Sequence, residues 1–158
     1  KVALLGAGGA ARAILYALLE REEVEQILLL NRTRSKAESL AGDLDRSGRV
    51  CVGEMDSSAV AKVDLLINST SVGMYPHEEG SPLVDPLVLH ANMLVADIVY
   101  KPLKTRLMEQ AEAAGARAIN GLGMLAWQGA RSFELWTGSA PPVDVMVAAA
   151  LERVKDGN

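Results

Sequence analysis

Cysteine occurs once in the 158 residues, at Cys51, so no internal disulfide can form, and a reducing, cytoplasmic compartment fits. Cys51 sits in an apolar, strand-like run and is expected to be an inert core residue. The two histidines, His77 and His90, fall in loop-like stretches without a paired ligand pattern, so no metal is assigned. Aromatics make up only 4% against 49% hydrophobic residues. The core must therefore be built from Leu, Val, Ile and Ala, which suits buried parallel strands covered by Ala-rich helices. Basic residues are not in excess: 16 Lys and Arg against 20 Asp and Glu leave a net charge of -4, which argues against a nucleic-acid partner. No apolar run approaches the ~20 residues of a membrane helix. There is no internal repeat, low-complexity tract or second domain, and no signal peptide is read because the first residues already form a strand. What remains is one domain, residues 1–158, long enough for a real core.

What is present begins at once. Val2-Ala3-Leu4-Leu5 is a short apolar run, followed by Gly6-Ala7-Gly8-Gly9-Ala10-Ala11-Arg12 and then a helical pattern. Strand, glycine turn and helix stand in the order of the dinucleotide fingerprint. Gly6 permits the tight turn, Gly8 lets a pyrophosphate approach the backbone, and Ala11 is the small residue that lets helix and strand pack closely. The phosphates would sit on the free N–H groups of the helix N-terminus. A chain that opens directly on such a strand is expected to be part of something longer.

The remaining pattern alternates strands and helices. Strands are read at Lys1 to Leu5, Gln26 to Leu30, Arg49 to Val52, Asp64 to Asn68, Met93 to Val99 and Ala116 to Ile119. The first helix runs from about Gly9 to Arg21, with Ala10, Ile14, Ala17 and Leu18 as its apolar stripe. Ser35 and Glu38 fit a capping box, so the second helix starts near Lys36. Tyr75 to Pro86 is irregular, with three prolines. Further helices are read from Leu103 to Ala114, from Gly121 to Trp136 with a stop at Gly138, and over 143–155, where Val143, Val147, Leu151 and Val154 form a stripe. The fold class is α/β: a doubly wound, Rossmann-like parallel sheet of about six strands flanked by helices.

The residue ending the second strand selects the nucleotide. An NAD site places Asp or Glu there for the ribose 2′-OH. Here it is Asn31, followed by Arg32, Thr33, Arg34, Ser35 and Lys36. The cations gather at a helix N-terminus, where they oppose the dipole, and a bound 2′-phosphate would offset that cost. A solvated basic loop is the plainer alternative; the missing acid and the position point to NADP. The loop after the fourth strand, Ser69-Thr70-Ser71-Val72-Gly73-Met74, lies at the edge of the sheet where ligands bind. Thr70 and Ser71 either bond a nucleotide or cap the turn. Met124 and Gln128, four apart, share one helix face.

Gly6-Ala-Gly-Gly-Ala10, Asn31-Arg-Thr33, Asn68-Ser-Thr-Ser-Val-Gly-Met74, Asp97-Ile-Val-Tyr-Lys-Pro102 and Gly121-Leu-Gly-Met-Leu-Ala-Trp-Gln128 follow one another in this chain. In that order they resemble the C-terminal, NADP-binding domain of the shikimate dehydrogenase family along nearly the whole length. The resemblance implies NADPH-dependent, reversible reduction of 3-dehydroshikimate to shikimate in aromatic amino-acid (chorismate) biosynthesis. It implies that Gly6, Ala7, Gly8, Gly9 and Ala10 hold the pyrophosphate, that Asn31 to Lys36 hold the 2′-phosphate, and that Ile98 and Gly121 meet the nicotinamide half. Tyr100 and Gln128 would reach the substrate, and the last helix would pack on an N-terminal domain. The family's catalytic Lys and Asp, with the serine pair for the substrate carboxylate, belong to that N-terminal domain, which this chain lacks. No catalytic residue is assigned here: Asp97 reads as structural, Lys101 and Lys104 as solvated. Two alternatives stay open, a quinate/shikimate dehydrogenase that uses NAD and a non-catalytic NADPH-sensing paralogue.

Overall fold

The computed structural model describes residues 1–55, 58–83 and 85–155. Six strands form one sheet: β1 (Val2–Leu5), β2 (Ile27–Leu30), β3 (Val50–Gly53), β4 (Leu65–Asn68), β5 (Leu94–Asp97) and β6 (Arg117–Ile119). Their order is β3-β2-β1-β4-β5-β6, and every neighbouring pair is parallel. The helices are α1 (Gly9–Leu19), α2 (Arg34–Leu44), α3 (Arg106–Ala113), α4 (Leu122–Thr137) and α5 (Val143–Lys155). Short 3-10 turns at Ser58–Lys62 and Pro86–Val88 lie in the connections before β4 and β5.

Alternation along the strands divides the apolar residues between two faces. Val2, Leu4, Ile27, Leu29 and Ile67 meet Ala11 and Leu15 of α1 and Ala37 and Leu40 of α2. Ala3, Leu5, Leu30, Leu66 and Val95 meet Leu107 and Ala111 of α3 on the opposite face. The sheet is thus doubly wound, and its strand order reverses between β1 and β4. The registers align the carboxyl ends: Leu5 lies beside Leu30 on one side and Asn68 on the other, and Asn68 beside Asp97.

Several boundaries fall differently from the sequence reading, each for a local reason. The first helix ends at Leu19, before the expected Arg21. The Arg49 guanidinium claims the carbonyls that would continue it, donating to Leu19 O, to Arg21 O at 2.8 Å and to Val24 O at 2.7 Å. Of the expected stripe of α1, Ile14 and Leu18 pack against the core and Ala17 is exposed, while the fully buried residues of the helix are Ala11 and Leu15. The expected capping box does not form: α2 begins at Arg34 behind Thr33, which places Ser35 inside the first turn, and no side chain caps the helix. Glu38 pairs with Arg34 instead. The third helix starts at Arg106 rather than Leu103, because Thr105 Oγ1 accepts the Met108 N–H at 3.3 Å and sets the cap. Cys51 is exposed, not a core residue. β3 is an edge strand, and the sulfur accepts a hydrogen bond from Gln26 Nε2 at 3.5 Å.

Candidate functional site

Two loops meet where the strand order reverses. Gly6 follows β1 with φ +106°, a conformation that favours glycine, and a Cβ there would lie 2.8 Å from Ser69 Oγ. Ser69, following β4, donates its N–H and hydroxyl to Leu5 O at 2.9 and 2.6 Å. The glycine turn and the loop after β4 are therefore fastened together at the crevice where open α/β sheets take ligands. No side chain caps α1, and a Cβ built at Gly8 or Gly9 would meet open space. The first-turn N–H groups of α1 stand ready for an anion.

Beside them a groove of about 330 Å³ is lined by Ala7, Gly8, Gly9 and Lys36 together with Arg12, Ser39, Leu40 and Asp43. Both terminal nitrogens of Arg12 donate to Asp43 Oδ2, at 2.9 and 2.7 Å. Sequence reasoning passed over Arg12, Ser39 and Asp43 as site residues. Arg12 carried the one available signal, standing three residues after Gly9 and hence on the same side of the helix.

Asn31 follows β2, half-buried, and its Nδ2 donates to Thr33 O at 2.8 Å, which holds the turn. Ser35 is exposed on the first turn of α2. Of the three expected cations, Arg34 is engaged with Glu38 at 2.8 Å, which holds its guanidinium above the usual range. Arg32 and Lys36 are exposed and make no ion pair among the described residues.

On the other side of the crevice, Thr70, Ser71, Ile98, Tyr100 and Gln128 come together around a cleft of about 270 Å³, with Ser69, Met74, Val99, Met124 and Leu125. Thr70 spends its hydroxyl proton on Asn68 Oδ1 at 2.7 Å, so it serves the cleft as a fixed wall rather than as a free donor. Gly121 is not on the cleft surface. It lies beneath Ile98, where a Cβ would stand 1.8 Å from the Ile98 carbonyl oxygen, and its N–H donates to Val99 O at 2.9 Å. Only a glycine lets α4 start this close to the exit of β5.

Under the cleft lies a buried polar cluster. Asp97 Oδ1 accepts from Asn68 Nδ2 at 2.9 Å and from the Val99 N–H at 3.1 Å, and Oδ2 accepts from Thr105 Oγ1 at 2.7 Å. Burial pushes the Asp97 carboxyl upward, and the bonds from Thr105, Val99 and Asn68 oppose it. Lys104 pairs with Glu112 at 2.6 Å on the surface, and the Lys101 ammonium lies 4.7 Å from the centre of the Tyr75 ring.

Strand order, glycine turn and open helix N-terminus together define a dinucleotide-binding domain of the Rossmann type. Residues 1–82 match the family model described as Shikimate / quinate 5-dehydrogenase, and residues 121–151 match the Shikimate 5'-dehydrogenase C-terminal domain. Shikimate dehydrogenase (NADP(+)) of Pyrococcus abyssi is 48% identical over 158 residues, covering 99% of this chain and 56% of that protein. Its counterpart in Methanopyrus kandleri is 44% identical, covering 98% of this chain and 55% of that protein. A shikimate dehydrogenase crystallised in complex with NADP+ superposes with a TM-score of 0.87 at 38% identity, over 97% of this chain and 54% of the other. The chain belongs to the shikimate/quinate 5-dehydrogenase family, and it spans about half the length of the curated relatives it matches.

Proposed function

We propose that this chain is the cofactor half of an NADP-dependent shikimate dehydrogenase, interconverting 3-dehydroshikimate and shikimate once the substrate half is supplied. One observation carries the reading: neutral Asn31 follows β2, Lys36 lines the glycine-turn groove, and neither Lys36 nor the exposed Arg32 makes an ion pair among the described residues. An acid at that position would repel a 2′-phosphate; an amide with two available cations accepts one. The relatives named for NADP(+) support the same choice.

In this reading Gly6 to Ala10 and the N-terminus of α1 hold the pyrophosphate, and Asn31 to Lys36 hold the 2′-phosphate. Thr70, Ser71 and Ile98 wall the nicotinamide half, with Gly121 holding Ile98 in place from below. A nicotinamide held by these residues would supply the hydride chemistry. Tyr100 and Gln128 face the remaining cleft, where hydroxyl and amide groups suit a polyhydroxylated acid. The described residues bring no acid–base pair to the cleft, so proton transfer falls to the half that this chain does not contain. Residues from that half would also close the cleft over the substrate. The family description names quinate beside shikimate, and parallel turnover assays with the two acids decide between them.

The experiment is titration calorimetry with NADPH and NADH on the wild type and Arg32→Ala. The charge-assisted bonds at stake contribute roughly 1.5–3 kcal/mol each, so Arg32→Ala weakens NADPH by about tenfold or more and NADH much less. Equal loss for both cofactors would remove the 2′-phosphate from this turn. This chain alone shows background NADP+ reduction with shikimate, and activity appears when the substrate half is restored; robust turnover by the chain alone would reveal a catalytic group among its own residues.

A further inference from the structure

The Asp97 carboxylate is 2% exposed, and no Lys, Arg or His pairs with it among the described residues. A buried carboxylate without a counter-ion is costly, and an apolar residue would fill the same space at lower cost. What an apolar residue cannot do is fix direction, because apolar contacts are non-directional. The bonds around Asp97 are directional throughout. Asn68 spends its amide nitrogen on Asp97, so its oxygen faces the other way. That oxygen accepts the Thr70 N–H at 3.0 Å and the Thr70 hydroxyl at 2.7 Å. Turning the Asn68 amide over would set acceptor against acceptor at Asp97 and donor against donor at Thr70. On the other arm Thr105 donates to Asp97 and accepts from Met108, so it cannot rotate without losing the start of α3. Val99, third partner of the carboxylate, lies between Ile98 and Tyr100.

The same cluster therefore grips both loops of the cleft, the one after β4 and the one after β5. Thr105 also stands under Gly73, where a Cβ would lie 3.7 Å from its own Cβ. At the outer rim the Tyr75 N–H donates to Lys101 O at 3.0 Å, which joins the two loops a second time. We propose that Asp97 is a positioning residue for hydride transfer: held from its other oxygen by Thr105 and acting through Asn68 on Thr70 and through Val99 on the neighbouring Ile98, it sets the two loops at the distance the nicotinamide ring needs. This rests on the cofactor reading above. Among the described residues, no side-chain bond of the cluster reaches the adenosine end on β1 and β2.

The test uses the full-length enzyme, with 2′,5′-ADP as a probe of the adenosine end alone. Asp97→Asn and Thr105→Val each lower kcat for NADP+ reduction with shikimate by about tenfold or more, whereas the Kd for 2′,5′-ADP stays within about twofold of wild type. Thr105→Ser, which keeps the hydroxyl, retains kcat within about threefold. Thr105→Val with undiminished kcat would overturn the proposal, and so would a parallel loss of kcat and 2′,5′-ADP affinity, which marks an ordinary core contact. If Asp97→Asn does not fold, the Thr105 pair decides by itself. A wild-type enzyme that binds no 2′,5′-ADP strikes the cofactor reading, whatever the variants do.

Discussion

Between β1 and β3 the connections are tied by charged side chains near the surface. Asp45 accepts from the Ser47 N–H and hydroxyl, the Gly48 N–H and the Val50 N–H at 2.8 to 3.0 Å, Arg49 closes the end of α1, and Arg12 holds Asp43. Between β4 and β6 the corresponding ties are buried: the Asn68–Asp97–Thr105 cluster, and a glycine at 121 that leaves no room for a methyl group. The two halves share one sheet and one crevice, yet they respond to different insults. Surface charge and salt act mainly on the first; shape and buried hydrogen bonds act mainly on the second. The division suits the ligand proposed for them, since an adenosine phosphate is recognised by charge and a reacting ring by position.

The largest expected effect is steric and belongs to the second half. Gly121→Ala forces a methyl group against the Ile98 carbonyl and destabilises the fold by about 3 kcal/mol, seen as a fall in Tm of roughly 6–12 °C. An unchanged Tm would show that α4 yields freely and that the second half is not rigid. Next comes Gln128→Ala in the full-length enzyme, which on the proposed substrate contact raises KM for shikimate or lowers kcat by about tenfold and leaves NADPH affinity alone. Loss of Tm or of NADPH binding with normal kinetics would assign Gln128 to structure.

The third effect belongs to the first half and depends on pH. Partial burial raises the Asp45 carboxyl, but the hydrogen bonds from Val50, Ser47 and the neighbouring backbone outweigh it and hold the group at about 2. A carboxyl depressed in the folded state stabilises above its ordinary pKa near 4, and that contribution drains away as pH falls toward 2. Asp45→Asn should remove about 1 kcal/mol of stability at neutral pH, after allowance for solvent screening, and flatten the pH dependence between about 4 and 2. Urea midpoints across that range measure it, and an unaltered slope would clear Asp45 of the role. Glu38→Gln is the smallest: it releases Arg34 and tightens NADPH by about twofold at low salt, and the gain disappears at high salt. A gain that survives high salt would speak against a screened surface charge.

Much of the first half was legible because its signals are local. The apolar run, the glycine turn and the helix stand next to one another in sequence, and Asn31-Arg32 adjoins the strand it ends. The errors there came from context. β3 pairs on one side only, so Cys51 faces water although its neighbours are valines. Ser35 has the right spacing for a cap, but the backbone enters α2 two residues earlier, behind Thr33. The second half was legible in its elements and in the residues of the cleft, yet not in what holds them. Asn68 and Asp97 are 29 positions apart, and only the pairing of β4 with β5 brings them side by side. Gly121 drew notice as a nicotinamide contact, and its close approach to the carbonyl of Ile98 was not legible beside that.

Both tryptophans of the chain, Trp127 and Trp136, lie on α4, and they are 63% and 84% exposed. Intrinsic fluorescence therefore watches one helix, with an indole colour that is already that of water before anything unfolds. Trp127 is the immediate neighbour of Gln128, so a reduced nicotinamide in the cleft, as proposed, would come within energy-transfer range of the emitter. Circular dichroism, by contrast, averages over every strand and helix. A fluorescence titration and a dichroism melt of this protein thus report on different territory.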